Sequence, residues 1–271
     1  MKTRIISAII ALPMVIIPLY FGGWLLYSVI LIAVVIGLRE YNRAFDVTSK
    51  AIFSLQVMST VVMLIVMWFQ KEAFYYSAGV VLIIFSLINY VILYPKLPLK
   101  DVFYGLIGFY YIVMMICHVI LVRDITTYGY LMVWMIFIIA FGSDSSAYFF
   151  GVLFGKHPLA KELSPEKTIE GAIGGIVGAS ALSVLYAFII ANTALQFEWY
   201  HYVGFGVMGA IGSVFSQFGD MAASAMKRAA KIKDFGTLMP GHGGIIDRMD
   251  SIIFVAPFVY YALLFILKEF N

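Results

Sequence analysis

The chain has 271 residues, of which 63% are hydrophobic and only 12% are charged. Soluble domains carry roughly 25% charged residues, so this composition excludes an ordinary soluble protein and indicates an integral membrane protein. The net charge of +3 is too small to indicate a nucleic-acid partner. The single cysteine, Cys117, excludes a disulfide framework within the chain and a thiolate metal cluster.

Apolar runs long enough to cross a bilayer recur along the whole chain. Runs of about 18 residues or more are typical of transmembrane helices. A membrane β-barrel would show short alternating strands, which this sequence lacks. We therefore predict an all-α, polytopic protein that forms a single integral membrane domain over residues 1–271, with N-terminal helices in 1–125 and the functional region in 140–255. The nine predicted spans are approximately Ile5–Tyr20, Trp24–Leu38, Ile52–Phe69, Tyr75–Tyr94, Phe103–Val122, Tyr130–Phe154, Gly171–Ala191, Val203–Phe218 and Ser251–Leu267.

The distribution of positive charge predicts the orientation of these spans. With the N-terminus in the cytoplasm, the inner segments hold 15 lysines and arginines, and the outer segments hold only three. Short cytoplasmic loops of membrane proteins carry such an excess of Lys and Arg. We therefore predict nine helices with the N-terminus inside, and both long polar loops, 156–170 and 220–250, on the cytoplasmic face.

The seventh predicted span carries glycines at small-xxx-small spacing. Gly171 and Gly175 are four residues apart, and so are Gly174 and Gly178. Small residues at this spacing let a neighbouring helix approach closely. We therefore predict that these glycines serve helix packing.

Asp144 lies inside the otherwise apolar sixth span, between serines. A carboxylate within a membrane helix costs about 2.5–3.5 kcal/mol on insertion scales, and such residues are functional by default. The alternative is a serine-rich segment that lines a water-filled cavity and carries no chemistry. We favour a functional role for Asp144.

The polar segment before the seventh span combines features of a helix start and of a phosphate site. Residues 164–166 (Ser-Pro-Glu) provide a capping hydroxyl, a first-turn proline and a first-turn acid, which predicts that a helix starts there. Lys167, Thr168 and Glu170 follow at the mouth of the span. A lysine, a hydroxyl and the amides of a new helix can bind phosphate. Capping alone would explain only the first three residues, so both interpretations stay open.

Residues 218–234 favour a helix, because Met and Ala are good helix formers. One stripe of that helix, at offsets of 0, 4, 7 and 11, contains Asp220, Ser224, Lys227 and Lys231. A carboxylate, a hydroxyl and two cations on one stripe suit a metal ion together with phosphate oxygens. The alternative is an amphipathic helix attracted to anionic lipid, which explains the lysines but not Asp220.

The densest polar stretch, PGHGGIIDRMD at 240–250, immediately precedes the last span. Its glycines, Gly241, Gly243 and Gly244, would let the backbone approach an anion and donate amide hydrogen bonds to it. His242 is a lone histidine, and we interpret it as a hydrogen-bonding loop residue rather than a metal ligand.

The charged residues of the same stretch indicate a divalent cation and phosphate. Asp247 and Asp250 are three residues apart and share a helix face, and Arg248 can hold phosphate in a bidentate manner. Carboxylates without neighbouring Cys or paired His favour Mg²⁺, whose shell is completed by substrate phosphates. The residues thus predict nucleotide-phosphate chemistry at the inner membrane surface, without choosing among nucleotides or lipids.

The run SAMKRAAKIKDFGTLMPGHGGIIDRMD, from Ser224 to Asp250, resembles the signature of phosphatidate cytidylyltransferases, also called CDP-diacylglycerol synthases. That signature has the form S-x-apolar-K-R-x4-K-D-x-small-x2-apolar-P-x-H-G-G-apolar-x-D-R-apolar-D, and the sequence matches it throughout. The upstream pair Gly219 and Asp220, and the runs DSSAYFFGVLFGK and SPEKTIEG, also resemble this family. The resemblance covers the C-terminal half by motif and the rest by layout.

The resemblance implies an Mg²⁺-dependent nucleotidyltransferase that converts phosphatidate and CTP into CDP-diacylglycerol and pyrophosphate. It implies metal ligands at Asp220 and Asp247, with Asp144 and Asp250 as supporting acids, and a second cation between them is compatible with this set. The acyl tails would stay in the bilayer of the inner (plasma) membrane while CTP arrives from the cytosol. The family and the glycine-rich span are also compatible with a homodimer.

The same resemblance implies the remaining site residues. The catalytic residues would be Asp220, Asp247, Lys227 and Arg248. The residues expected to bind nucleotide or phosphate are Ser164, Lys167, Thr168, Glu170, Ser224, Arg228, Lys233, Gly243 and Gly244. Two other functions stay open. One is a CTP-dependent polyprenol or phytol kinase, in which an alcohol attacks the γ-phosphate, and the other is a cation-coupled transporter that uses Asp144 in mid-membrane.

Overall fold

The structure, a computed structural model, describes residues 2–69, 75–191, 197–238 and 243–267. Helices make up nearly all of its regular structure, and the all-α, polytopic prediction is confirmed. In chain order the helices are α1 (Lys2–Phe21), α2 (Gly23–Ala44), α3 (Lys50–Trp68), α4 (Ser77–Ile92), α5 (Leu99–Gly108), a π-helical segment (Phe109–Met114), α6 (His118–Asp124), α7 (Gly129–Met132), α8 (Trp134–Phe154), α9 (Ile169–Ala191), α10 (Trp199–Ala229) and α11 (Ile246–Leu267). A small antiparallel hairpin, β1 (Pro158–Ala160) and β2 (Ser164–Thr168), precedes α9.

Within the described residues, six helices are long and apolar enough to cross a membrane. They are Gly23–Ala44, Lys50–Trp68, Leu99–Asp124, Gly129–Phe154, Ile169–Ala191 and Ile246–Ile266. Shorter apolar helices cover Leu12–Phe21 and Ser77–Ile92. Helix α10 is long, with 31 residues, but it carries polar residues of the predicted site at its C-terminal end. The count of nine crossings and the cytoplasmic N-terminus stay predictions.

The described residues form two compact units, which we call unit 1 (Met1–Cys117 and Ala230–Arg248) and unit 2 (His118–Ala229 and Met249–Asn271). In unit 1, helix α2 packs against α3 and α5. The buried Gln56 of α3 accepts a hydrogen bond at Oε1 from Asn42 Nδ2 and donates from Nε2 to the Gly105 carbonyl oxygen, both at 2.7 Å. Buried polar groups need such partners, so these contacts fix the helices relative to one another. The single membrane domain stays a prediction.

Asp101, on α5, holds the backbone immediately before α3 in unit 1. Its Oδ2 accepts hydrogen bonds from the backbone amides of Thr48 and Ser49, both at 3.0 Å, and from Thr48 Oγ1 at 3.2 Å. Ser49 in turn caps α3 by accepting a hydrogen bond from the Ile52 amide at 3.4 Å. A carboxylate from one helix therefore holds the start of another.

The glycines of α9 serve helix packing in unit 2, as predicted. Helix α9 packs against α8 and α10. A Cβ atom at Gly174 would overlap the Phe150 side chain, and one at Gly178 would overlap Ser146, both on α8. The glycine face of α9 is therefore covered by α8 of the same chain.

Polar contacts hold α10 against its neighbours. Ser143 Oγ on α8 and Ser213 Oγ on α10 are 2.7 Å apart, both buried. Gln217 Nε2 donates to the Ala172 carbonyl oxygen on α9 at 3.0 Å and to Ser213 Oγ at 3.2 Å. These hydrogen bonds fix the rotation and axial position of α10 immediately before Asp220.

Substitution of Gly174 by alanine should loosen the packing of α8 against α9. The added methyl group would force the helices apart, and overpacking of this kind typically costs about 1–3 kcal/mol. The matched control is Gly204→Ala on α10, where a Cβ would meet Ile266 at an ordinary 3.5 Å. In detergent, we expect a lower midpoint of thermal unfolding for Gly174→Ala and an unchanged or higher one for Gly204→Ala. Equal midpoints would contradict the packing described.

Candidate active site

Acidic side chains from separate helices come together in unit 2. Asp144 on α8, Asp220 on α10 and Asp250 on α11 lie close enough for their charges to interact. Asp220 and Asp250 are half-buried, whereas Asp144 is exposed. Repulsion between carboxylates grows as water is excluded, and nearby cations reduce it. These are three of the four acids for which metal binding was predicted.

Gly219, the residue before Asp220, lets α11 reach the acids. A Cβ atom at this position would lie 2.6 Å from the Asp250 carbonyl oxygen and 3.2 Å from Phe254 Cβ. A contact of 2.6 Å to a backbone atom is not tolerated, so α10 and α11 can meet here only over glycine. Helix packing therefore explains the glycine of the Gly219-Asp220 pair, whereas the aspartate is expected to serve the chemistry.

Lysine side chains supply positive charge to the same group. The Lys167 ammonium on β2 donates a hydrogen bond to Asp220 Oδ2, and both side chains are 29% exposed. The charge of Lys167 also interacts with that of Asp144. Lys227, two turns after Asp220 on α10, interacts with Asp250. Each acid of the group therefore has a cation within electrostatic range.

Ser251 joins two of the acids, and the sequence analysis missed it. Its Oγ donates to Asp144 Oδ2 at 3.3 Å, and its backbone amide donates to Asp250 Oδ1 at 2.9 Å. Its side chain is buried, so these contacts orient both carboxylates. The one available signal was a serine next to Asp250, immediately before the apolar run of α11. Two serines near Asp144 contact other helices instead: Ser143 contacts Ser213 on α10, and Ser146 packs against Gly178 on α9.

The predicted helix start at Ser164 is wrong. Residues Ser164–Thr168 form strand β2, in which Ser164 pairs with Ala160, and α9 begins five residues later at Ile169. The cap is Thr168, whose Oγ1 accepts a hydrogen bond from the Gly171 amide at 3.1 Å. Both residues carry a hydroxyl that can cap a helix, and only the hairpin pairing selects Thr168. The expected phosphate-binding role of Thr168 therefore competes with a capping role.

Glu170, in the first turn of α9, binds Lys156 and His157, the residues just before the hairpin. Its carboxylate lies 2.6 Å from His157 Nδ1 and accepts the backbone amides of Lys156 at 3.1 Å and His157 at 3.2 Å. These contacts fix the hairpin that carries Lys167. Direct substrate binding by Glu170 stays a prediction.

Residues 230–248 of the C-terminal polar loop belong to unit 1, and their described part is organised around Asp247. The buried Oδ2 atom of Asp247 accepts the backbone amides of Phe235 at 2.8 Å and Gly244 at 2.9 Å. Gly243 has φ +81°, and a Cβ there would lie 2.9 Å from the same oxygen. The anion that Gly243 approaches in the structure is therefore the Asp247 carboxylate. Residues 239–242 of the motif, which include Gly241 and His242, lie outside the described residues.

A second carboxylate in this loop comes from Glu40 on α2, which the sequence analysis did not select. Glu40 Oε1 accepts the Ile245 amide and Oε2 accepts the Ile246 amide, each at 3.1 Å. The signal for Glu40 is the one that revealed Asp144, namely an acid in a mostly apolar helix. Its partners, more than 200 positions away, could not be read from the sequence.

The predicted stripe on α10 ends before its last member. Helix α10 stops at Ala229, and Lys231 adopts a left-handed backbone conformation with φ 56°. The inclusion of Lys231 in the helical stripe is therefore wrong. Ser224 and Lys227 are half-buried on α10, whereas Arg228 is exposed. In unit 1, Lys233 and Arg248 are exposed, and their contacts with substrate stay predictions.

The donor chemistry of the acidic group suits Mg²⁺. Asp144, Asp220 and Asp250 offer hard carboxylate oxygens, the ligands that this ion prefers. In the described part of the chain, however, no three Asp, Glu, His or Cys side chains are already arranged as metal ligands. The Lys167 ammonium already occupies one carboxylate oxygen of Asp220. Asp247 lies in the other unit, so its sharing of one ion with Asp220 stays a prediction.

Comparison with known proteins identifies the family. The sequence model of the cytidylyltransferase family matches residues 2–266. The phosphatidate cytidylyltransferases of Synechocystis sp. and Haemophilus influenzae are each 30% identical to the chain, and the alignments cover 99% and 98% of this chain and 98% and 100% of theirs. The phosphatidate cytidylyltransferase of Bacillus subtilis is 39% identical over 153 residues, which are 56% of this chain and 55% of that protein.

These matches define the protein as a membrane-embedded nucleotidyltransferase. The chain belongs to the cytidylyltransferase family. The family resemblance drawn from the C-terminal motif is thus confirmed, and it extends over nearly the whole chain.

Removal of the Lys167 charge should destabilise the acidic group of unit 2. In Lys167→Met, Asp220 and Asp144 lose their shared cation. We expect the free energy of unfolding to fall by about 1 kcal/mol or more, as is typical for the loss of a hydrogen bond to a charged group. The matched control, Lys161→Met, removes an exposed lysine from the turn of the same hairpin. Thermal unfolding in low-salt detergent gives the measurement. In a double-mutant cycle, Asp220→Asn should cancel most of the loss, and strict additivity would contradict the pairing.

Proposed function

We propose that the protein transfers the cytidylyl group of CTP to phosphatidate, which gives CDP-diacylglycerol and pyrophosphate. The observation that carries the proposal is the group of acids from α8, α10 and α11 with lysines beside them in unit 2. Full-length relatives named phosphatidate cytidylyltransferase support the choice of substrates.

The chemistry needs charge neutralisation more than it needs a base. A phosphate oxygen of phosphatidate attacks the α-phosphorus of CTP, and a new P–O bond forms there. The bond from the α-phosphorus to the bridging oxygen of the β-phosphate breaks, and pyrophosphate leaves with that electron pair. The attacking oxygen is already anionic near neutral pH, so the main barrier is repulsion between polyanions. Fixed positive groups at the site lower this barrier.

The side chains of unit 2 have the charges that this reaction requires. Asp144, Asp220 and Asp250 would hold Mg²⁺, which when bound neutralises phosphate oxygens and the charge that develops in the transition state. Lys167 balances Asp220 in the structure, and its ammonium would contact a phosphate oxygen placed beside that acid. Lys227 would act likewise beside Asp250. The participation of Asp247 and of a second cation belongs to the same proposal.

We place the reaction at the cytoplasmic face of the inner (plasma) membrane. The excess of lysine and arginine in the predicted inner segments supports this orientation. Large apolar side chains on the surfaces of α8 and α9, such as Leu153 and Ile173, are exposed and suit contact with lipid. The acyl tails of phosphatidate would remain in the bilayer while CTP arrives from water. A homodimer stays a prediction without support from the glycines of α9, because α8 covers them.

Purified protein with phosphatidate, Mg²⁺ and CTP labelled at the α- or the γ-phosphate tests the proposed reaction. We expect label from the α position in lipid and label from the γ position in pyrophosphate. Transfer of γ-label to phosphatidate or to an added polyprenol, with release of CDP, would instead show a CTP-dependent kinase. Absence of label from lipid in every arm would contradict both enzyme functions and leave the transporter.

Asp220→Asn should reduce the α-label in lipid by about a hundredfold or more, the range for loss of a group that stabilises transition-state charge. The matched control is Asp46→Asn, because Asp46 is exposed and has φ 51°, a conformation that asparagine tolerates. It should retain the activity of the unsubstituted protein.

A further inference from the structure

Helix α11 begins without an acceptor of its own. The first amides of a helix have no partner within it, and a Ser, Thr, Asp or Asn side chain at the preceding residue usually supplies one. Here the preceding residue is Ile245, which follows two glycines, and none of these has a polar side chain. The acceptor for this helix start must therefore come from elsewhere in the chain.

Glu40 supplies that acceptor from α2. Its two carboxylate oxygens take separate amides, those of Ile245 and Ile246, and the side chain is only 8% exposed. A single residue of the second helix thus satisfies two successive donors at the start of the last one. This arrangement lies wholly within unit 1.

Glycines on both sides of the loop make room for the Glu40 carboxylate. A Cβ atom at Gly236 or at Gly244 would overlap it. Two glycines, Gly236 before the undescribed residues 239–242 and Gly244 after them, therefore pack their backbone atoms directly against Glu40. This fit accounts for two glycines of the family-like motif by an internal contact, without a bound phosphate.

The same contacts determine the position of Asp247. Gly244 touches Glu40 and also donates its amide to Asp247 Oδ2 at 2.9 Å. The charges of Glu40 and Asp247 interact directly. Displacement of the Glu40 carboxylate would therefore move Gly244, and with it one of the two amides that orient Asp247.

We infer that Glu40 is a positioning residue, which holds residues 243–248 so that Asp247 and Arg248 are presented for the reaction. The inference rests on the proposed function for the role of those two residues, but the contact itself does not. It gives α2 a part in a site that the sequence assigned to the C-terminal half alone. It also implies that the Ile245 and Ile246 amides are not open to phosphate, because the Glu40 carboxylate already binds them.

Glu40→Gln tests the inference, with Asp101→Asn as its matched control. Glutamine keeps the size of the side chain but presents an NH₂ group where one amide needs an acceptor. Asp101 is also a buried carboxylate that accepts two backbone amides before a helix, but that helix is α3 rather than α11. Both substitutions should lower thermal stability. Only Glu40→Gln should affect residues 243–248.

Two measurements distinguish the outcomes. By hydrogen exchange of the intact protein, we expect faster exchange of the amides of 243–248 in Glu40→Gln and none of this change in Asp101→Asn. In the labelled-CTP assay, we expect kcat to fall about 10–100-fold in Glu40→Gln, the range for residues that orient ligands, and to stay within about twofold in Asp101→Asn. Gly236→Ala, whose methyl group pushes on Glu40 from the loop side, should reproduce the Glu40→Gln pattern if that variant folds poorly.

Unchanged exchange at 243–248, or an equal loss of kcat in Asp101→Asn, would overturn the positioning role. If the unsubstituted protein forms no CDP-diacylglycerol, the proposed function fails. The exchange measurement then still tests the contact of Glu40 with the loop.

Discussion

Every carboxylate that this apolar chain carries into its helices must be held by a donor or a cation, and the structure depends on how each is held. Asp101, Glu40 and Asp247 accept backbone amides, which cannot leave without local unfolding. Asp220 is held by the Lys167 ammonium, at the end of a flexible side chain. Amide-bound acids therefore fix the backbone, whereas an acid paired with lysine can exchange its partner for another cation. This difference distinguishes Asp101 and Glu40, which hold the backbone, from Asp220, which would bind metal and substrate.

Glycine makes both kinds of contact possible. At Gly219 it brings the backbone of α11 against α10 beside Asp220, and at Gly244 it brings the loop against Glu40. Gly219 immediately precedes Asp220 in the sequence, and Gly244 donates its amide to Asp247. The motif thus combines chemistry with close backbone approach. We therefore expect substitutions of its glycines to affect activity through the geometry of the acids.

The fold could be predicted where hydropathy alone determines it, and the site could be predicted only in part. Both edges of α3 and the C-terminal end of α9 lie within a few residues of the predicted spans, because a membrane helix is defined by its own apolar run. The start of α9 was misplaced, because Ser164 and Thr168 offer the same local capping signal and only pairing with β1 decides between them. Ser251 and Glu40 were missed for a different reason: their roles depend on partners from distant segments, which one sequence does not reveal.

We propose that the acids of unit 2 bind a divalent cation together. Titration of the purified protein with Mn²⁺, followed by electron paramagnetic resonance with and without CTP, measures this binding. We expect saturable Mn²⁺ binding that weakens about tenfold or more in Asp144→Asn and in Asp250→Asn, and that is unchanged in Asp46→Asn. Equal Mn²⁺ affinity in all of these proteins would contradict it.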